Sequence, residues 1–325
     1  MIIGRRALSF GLAFVALASL SPLVAKAEDY PSRPIRVIVP YPAGAAGDIL
    51  ARLVGSNISE NLRQPVIIDN RPGGAGIAAT TAIARADPDG YSLLLAGPNH
   101  TTNVGLFKSL PYDPLEDFEP ISLLVKDYVL ILASSKSSFT SIEDLIEKSK
   151  NSPNTINYGS SGVGTAGHLS MEKFQRVARI ELFHIPYNGA TPAVTDTASG
   201  IVSLTATGYS AAKPFIDSGQ LKPLLISSPQ RSKALPDVPT GLEQNLDWTA
   251  AAWFGLMAPA GTPKSIVDRL SAAASEAMQS ARVIQRTDAT GTARVGSDPE
   301  AFRAFLQREL ETWPELIRNI GIEVQ

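Results

Sequence analysis

The chain has no cysteine and only three histidines, His100, His168 and His184, so little of it can do nucleophilic, redox or metal chemistry. Disulfides, thiolate metal sites and cysteine nucleophiles are excluded outright. The histidines do not fall at metal-ligand spacing, so no metal is expected. Ser160 and Ser161 invite a nucleophile reading, with His168 eight residues beyond Ser160. No G-x-S-x-G elbow surrounds them. An exported hydrolase using Ser160 and His168 therefore stands as the enzymatic alternative, against a His168 that caps or lines a cleft. Gly162-Val163-Gly164-Thr165-Ala166-Gly167 is a literal G-x-G-x-x-G. A dinucleotide site needs an acid at the end of the next strand, about 20 residues on. Glu181 opens that strand instead of ending it. No cofactor is expected.

What the sequence supplies freely is backbone N–H. Four small-residue turns cover 40–48, 69–76, 158–168 and 186–192, and each leads into a helical pattern. The first N–H groups of a helix lack intrahelical partners, and the positive end of its dipole suits an anion by roughly 0.3–1 kcal/mol. Small side chains let an anion approach the backbone. Ordinary tight turns, with glycine supplying positive φ, would read the same way one at a time. Four in one chain point to a ligand cleft. Around them, Asp48 is either a cap or a holder of an ordered water or a ligand ammonium. Tyr41, Tyr187 and Tyr209 are cleft walls or turn packing. Arg71 is a tempting carboxylate partner, but Asp69 two residues away makes a structural ion pair at least as good a reading.

These turns need a scaffold, and short β runs alternating with helical patterns provide it. Strands are read over 35–39, 65–68 and 91–96. Between them lie a helix with Leu50, Leu53, Val54 and Ile58 on one face, and an alanine-rich helix over 76–86. That β-α-β-α-β order implies a parallel sheet covered by helices. Beyond a β run at 129–132, Thr140-Ser141-Ile142-Glu143 fits a capping box. The alternation then restarts, with strands at 156–158, 182–185, 202–205 and 221–226, a helix through Met171, Phe174 and Val177, and another from about Thr191 to Ser199. A late β run covers 253–257. Thr262-Pro263 and Asp298-Pro299 read as N-cap and N1 pairs opening two terminal helices. Two α/β halves of similar build follow, with the runs near 129 and 254 crossing between them and the last helices returning to the first half.

The chain of 325 residues is 44% apolar and 18% charged, a globular composition. Residues 1–27 read as an export signal. Arg5 and Arg6 precede an apolar stretch from Ala7 to Leu20, and Ala25-Lys26-Ala27 offers a cleavage site before Glu28. The paired arginines hint at the folded-protein export route. Cleavage leaves 26 basic and 31 acidic residues, a net charge of about −5. Nothing there suits nucleic acid, and no later stretch is long enough to cross a bilayer. An exported, mildly acidic protein works where ATP and NAD(P)H are absent.

In order along the chain stand Pro-Ile-Arg-Val-Ile-Val-Pro-Tyr-Pro-Ala-Gly (34–44) with Asp48, Asp-Asn-Arg-Pro-Gly-Gly-Ala-Gly (69–76) and Asp-Pro-Asp-Gly-Tyr (87–91). Tyr158-Gly159-Ser160 with Gly167-His168-Leu169 follows, then His184-Ile185-Pro186-Tyr187-Asn188-Gly189. Arg231-Ser232, Leu-Pro-Asp-Val-Pro-Thr (235–240) and Ala-Pro-Ala-Gly-Thr-Pro (258–263) complete the set. This ordered set resembles the Bug-type extracytoplasmic solute receptors of tripartite tricarboxylate transporters over essentially the whole mature chain. The resemblance implies an α/β, two-lobed periplasmic binding protein of type II, each lobe a mostly parallel sheet flanked by helices. Lobe 1 would be 28–125 and 251–325, and lobe 2 would be 126–250. It implies no catalysis and a ligand that is a di- or tricarboxylate, an acidic amino acid or an aromatic acid. Integral membrane permease subunits would be the partners, with a sensor partner as a weaker reading, and the receptor would act as a monomer. Carried over, the ligand contacts are Tyr41, Ala45, Ala46 and Asp48, faced by Ser160, Thr165, Gly189, Ala190 and Thr191; His168 and Tyr187 join them as cleft-lining candidates on the reading of the residues above. Asn99 and His100 would tune specificity, and Tyr209 would add a wall. The family's first turn is commonly Pro-Gly-Gly-x-x-Asp. Here Ala43-Gly44-Ala45-Ala46-Gly47-Asp48 narrows the approach to the backbone.

Overall fold

The computed structural model describes residues 30–320. The expected export signal at 1–27 lies outside them. Strands β1 (Ile35–Val39), β2 (Val66–Asn70) and β3 (Ser92–Ala96) are parallel, in the order β2-β1-β3. The period-2 pattern of β1 sends Ile35, Val37 and Val39 to one face and Ile38 to the other. The first face packs on α1 (Ala46–Leu62) and α8 (Lys264–Met278). The second packs on α2 (Ile77–Ala84) and α10 (Pro299–Asn319). Since α1 and α2 lie on opposite faces, the sheet has a topological switch point between β1 and β3.

The strand that joins the two halves is β4 (Phe118–Ser134), 17 residues long. Its first part pairs antiparallel with β9 (Ala251–Pro259), which pairs in turn with β3. Its second part pairs with β7 (Leu204–Gly208) and β8 (Leu221–Ile226). β5 (Asn157–Ser160) and β6 (Phe183–Pro186) extend from β7 in parallel, giving the order β7-β5-β6. Tyr128, Leu130 and Leu132 face a core with α6 (Ala190–Ser199) and α7 (Tyr209–Asp217). Val129, Ile131 and Ala133 face α4 (Ile142–Asn151), α5 (Ala166–Ala178) and Trp248. Again consecutive helices, α5 and α6, take opposite faces, so a second switch point lies between β5 and β7. The expected α/β architecture is present. β9 stays within the first sheet, however, and only β4 carries the ladder across.

Several local expectations need correction. The capping box at 140–143 shifts by one residue: Ser141 is the N-cap and accepts the Asp144 N–H, while the Asp144 carboxylate takes the Thr140 N–H. Thr262 does not cap α8, because its hydroxyl donates to Pro259 O and Pro263 takes the cap position. Asp298 does cap α10, accepting from Ala301 N. β7 starts at Leu204 rather than Val202, since the Val202 and Ser203 N–H groups go to Asp196 O and Asn157 Oδ1. Four elements have no counterpart in that reading: α3 (Asn99–Leu106), α7, α9 (Ala281–Thr290) and β10 (Ala293–Arg294) against β4.

Candidate ligand cleft

Strand direction alone brings the turns together. In the first sheet β4 runs the same way as β1, β2 and β3, because it is antiparallel to β9 and β9 is antiparallel to β3. Their carboxyl ends therefore point along β4 toward its second part. In the second sheet β7 is antiparallel to β4 and parallel to β5, and β5 is parallel to β6. Those carboxyl ends point back. Both sets of turns converge on the level of Lys126–Val129, at the switch points where open α/β sheets hold ligands. Pro98 and Thr102 from one side meet Gly164 and Ala166 from the other around a cavity of about 20 Å³, walled also by Leu169, Ala250, Glu309 and Trp313.

The helices opening on these edges share a feature. α1, α5, α6 and α7 begin at Ala45, Thr165, Gly189 and Gly208, and no side chain caps any of them. Helices α4, α9 and α10, which open elsewhere, are capped by Ser141, Ser280 and Asp298. Among the described residues α8 is the exception, uncapped away from this edge. Thr165 is a cap residue by type, but its hydroxyl donates to Gly162 O at 2.7 Å. The free N–H groups are thus concentrated where the two sheets face each other.

The first sheet's side is braced by its asparagines. Tyr41 is half-buried, edge-on to Phe254, and its hydroxyl donates to Asn99 Oδ1 at 2.7 Å. Burial raises the Tyr41 pKa, so the phenol stays protonated. Asn99 Nδ2 donates to Ala75 O at 2.7 Å, tying together the turns after all three parallel strands. Asp48 is buried and fully engaged: it takes the Gly44 N–H at 2.8 Å, Asn70 Nδ2 at 2.9 Å and the Arg52 guanidinium. The Arg52 hydrogen bond, with Gly44 and Asn70, holds its pKa down at about 2 despite burial. It is a strut inside the first turn, with its donors already assigned. Ala45 and Ala46 stand at the open start of α1, Ala46 exposed. Arg71 pairs with Asp69 at 2.8 Å, as the spacing suggested.

His100 does not belong to the cleft. It is 2% exposed, packed between Tyr112 and Phe118, and its Nε2 meets Pro114 O at 2.7 Å. Burial lowers its pKa to about 4. One residue along a helix turns the side chain by about 100°, so Asn99 faces the turns and His100 the core.

On the second sheet's side, Ser160 is fully buried, and its hydroxyl meets His184 Nε2 at 2.7 Å, not His168. His168 Nδ1 instead accepts the Gly164 N–H at 3.0 Å. The Ser160–His168 pair of the hydrolase reading is therefore absent: the serine is hidden and the histidine is occupied. Tyr187 donates to Asp196 Oδ2 at 2.8 Å and lies against Gly159. Burial raises its pKa to about 12. Gly189, with φ of 125°, precedes Ala190 and the exposed Thr191 at the open start of α6. Tyr209 is placed apart from these. Its ring closes on Gly291, just past α9, and with Tyr128 it lines a separate groove of about 830 Å³ that also takes in Arg231 and Arg294. Sequence reading missed Asn70 as the brace of Asp48, and His184 as the partner of Ser160.

Gly167, the third glycine of the G-x-G-x-x-G string, has a packing reason. A Cβ there would stand 2.4 Å from Ala206 O on β7, so only glycine lets the start of α5 lie against the strand. The string shapes a turn, and Glu181, exposed ahead of β6, offers nothing to a ribose.

A family model described as "Tripartite tricarboxylate transporter family receptor" matches residues 50–322. The chain belongs to this receptor family. It is a solute-binding receptor of the periplasmic type and not an enzyme. The receptor is 34% identical to Protein BugT of Bordetella pertussis over 315 residues, 96% of each chain. Among solved structures, R. palustris Rpa4515 with adipate is 31% identical, with a TM-score of 0.74, over 91% of the receptor and all of that chain. MatC from Rhodopseudomonas palustris with bound malate is 30% identical, with a TM-score of 0.69, over 89% and 100%.

Proposed function

We propose that the receptor captures a small carboxylate between two lobes and delivers it to integral membrane permease subunits for uptake. The observation that carries this is the set of uncapped helix starts at Ala45, Thr165 and Gly189, on turns whose strands point at one another. Arginines near the first turn are spent on Asp48, Asn70 and Asp69. Backbone N–H groups, and waters held on them, are left to meet the anion. The adipate and malate bound by the two Rhodopseudomonas relatives support a dicarboxylate, which offers one anionic group to each side. Lobe 1 comprises 28–125 and 251–325, lobe 2 comprises 126–250, and the mature monomer works in the periplasm after cleavage near Ala27.

Thermal unfolding against a panel including malate and adipate tests this. A ligand at 100 times its Kd should add about 2.7 kcal/mol of stability and be recovered unchanged. Turnover of any panel member, abolished by Ser160→Ala, would overturn the receptor reading. Ala46→Asp separates fold from site. An acid in the first turn of a helix favours the helix by roughly 0.3–1 kcal/mol. The same charge repels the anion, so affinity should fall at least about tenfold by calorimetry while Tm holds or rises. Unchanged affinity removes the first turn from the cleft.

A further inference from the structure

Behind the third turn three rings are stacked. Tyr158 on β5, His184 on β6 and His168 on α5 lie 4.8 and 4.1 Å apart in sequence, nearly parallel. The strand register builds the first contact, since Tyr158 pairs with His184. The stack is anchored at its outer end: the Tyr158 hydroxyl and Gln175 Nε2 both donate to Glu172 Oε1, at 2.7 and 2.9 Å. On the side of the turn, each histidine holds one point of it. His168 Nδ1 accepts the Gly164 N–H, and His184 Nε2 meets the Ser160 hydroxyl, which also takes the Gly162 N–H at 3.2 Å. The loop between has φ of 129° at Gly162 and 76° at Gly164, conformations only glycine adopts freely. A loop of this kind has many alternatives and needs holding.

We propose that His168 and His184 act together as positioning residues that hold the 160–165 turn in its ligand-receiving shape, through the Gly164 N–H and the Ser160 hydroxyl. This rests on the carboxylate-cleft reading above and names what keeps its second-lobe half in place. An Nδ1 that accepts a hydrogen bond carries no proton, so His168 holds the turn only while neutral. Two charged rings at 4.1 Å would also repel. Glu172 is the carboxylate beside the stack, with its Oε1 3.8 Å from His168 Nε2. Lys150 of α4, Arg176 of α5 and Arg179 just past its end share a surface cavity with Glu172, and Glu315 of α10 pairs with Arg176 at 3.8 Å. Burial keeps both histidines neutral down to about pH 4. The turn, and with it the cleft, should loosen as pH falls toward that value.

Amide hydrogen exchange of residues 162–165 in the unliganded protein is the primary test, because it needs no ligand. His168→Ala should cut protection there at least about tenfold. His168→Asn, which places an untitratable acceptor near the lost Nδ1, should restore most of it and flatten its fall with acid. Calorimetry with malate and adipate should follow the same order. Protection unchanged in His168→Ala, or lost equally in His168→Asn, overturns the positioning role. Protection that behaves as stated while wild type binds neither acid overturns the cleft reading and leaves the positioning intact.

Discussion

Trp253→Ala should destabilise the protein by about 3–5 kcal/mol, the range for emptying a buried aromatic site. Trp253 is fully buried on β9, edge-on to Phe302 and Phe305 of α10 at 5.8 and 5.4 Å. Its register partner is Lys126 on β4, so it sits where the crossing strand leaves the first sheet. Its indole N–H donates to Glu309 Oε2 at 3.0 Å, and Trp313 gives that oxygen a second donor at 2.9 Å. Burial raises the Glu309 pKa to about 7. Removing the indole both opens a cavity and strips a donor from a buried carboxyl. Trp253→Phe keeps most of the ring volume and isolates the second loss, expected at about 1–3 kcal/mol. Urea unfolding at pH 7 reads both as a lower midpoint at constant slope. A loss under about 1 kcal/mol for the alanine variant would mean that α10 is not fixed to the crossing by this residue.

The neighbouring residue shows why some of this was legible and some was not. Phe254 points to the other face of β9, where it meets Tyr41. Alternation of that kind is local, and so are the helical spacing of Leu50, Val54 and Ile58 and the glycine turns between. These gave β1 to β3 and α1 their places. The first half of β4 went unread because Pro120, Lys126 and Asp127 break its apolar pattern. The ladder absorbs Pro120 at a register shift, and strands on both edges hold the rest. Helix α3 carries no apolar stripe. Several of its polar side chains are buried and bonded to backbone carbonyls, Thr101 to Pro98 O, His100 Nε2 to Pro114 O and Asn103 to Ala75 O. The site's wiring was harder still. Ser160 has one histidine eight residues away and another 24 residues away, and strand register selects the farther one. Asp48 owes its role to Asn70, which adjacency in sequence does not reveal. The turns could be found from residue type, but which atoms inside them remain free depends on partners brought by the fold.

Acid should destabilise the folded receptor between pH 6.5 and about 4.5, with two groups of residues pulling in opposite directions. His100, His168 and His184 are each held at about 4, chiefly by burial. In the unfolded chain they titrate near 6.5. As pH falls through that window the unfolded chain binds three protons that the folded chain refuses, and stability falls. Asp127 and Glu309 work the other way. Burial raises both to about 7, so the folded chain binds two protons that unfolded carboxylates give up until much lower pH. Their contribution rises as pH falls from 7. The excess is one proton on the unfolded side, a slope of about 1.4 kcal/mol per pH unit. His184 is the most exposed to solvent screening of the three, so its share is the smallest and this slope is an upper bound. Asp48, held at about 2 first by Arg52, adds its own loss as pH falls from the ordinary aspartate value, about 3.9, toward 2. Asp127 has an oxygen with no partner, beside Gly208 at the crossing. Asp127→Asn should therefore raise stability at pH 7 and steepen the slope toward two protons. His100→Gln, far from the cleft, should flatten it. Urea midpoints collected every half unit from pH 4.5 to 7 measure all three slopes. A wild-type profile that is flat or climbs on acidification would show that the buried carboxyls outweigh the histidines. In that case the interior would be organised around protonated acids at the crossing and not around neutral rings behind the turns.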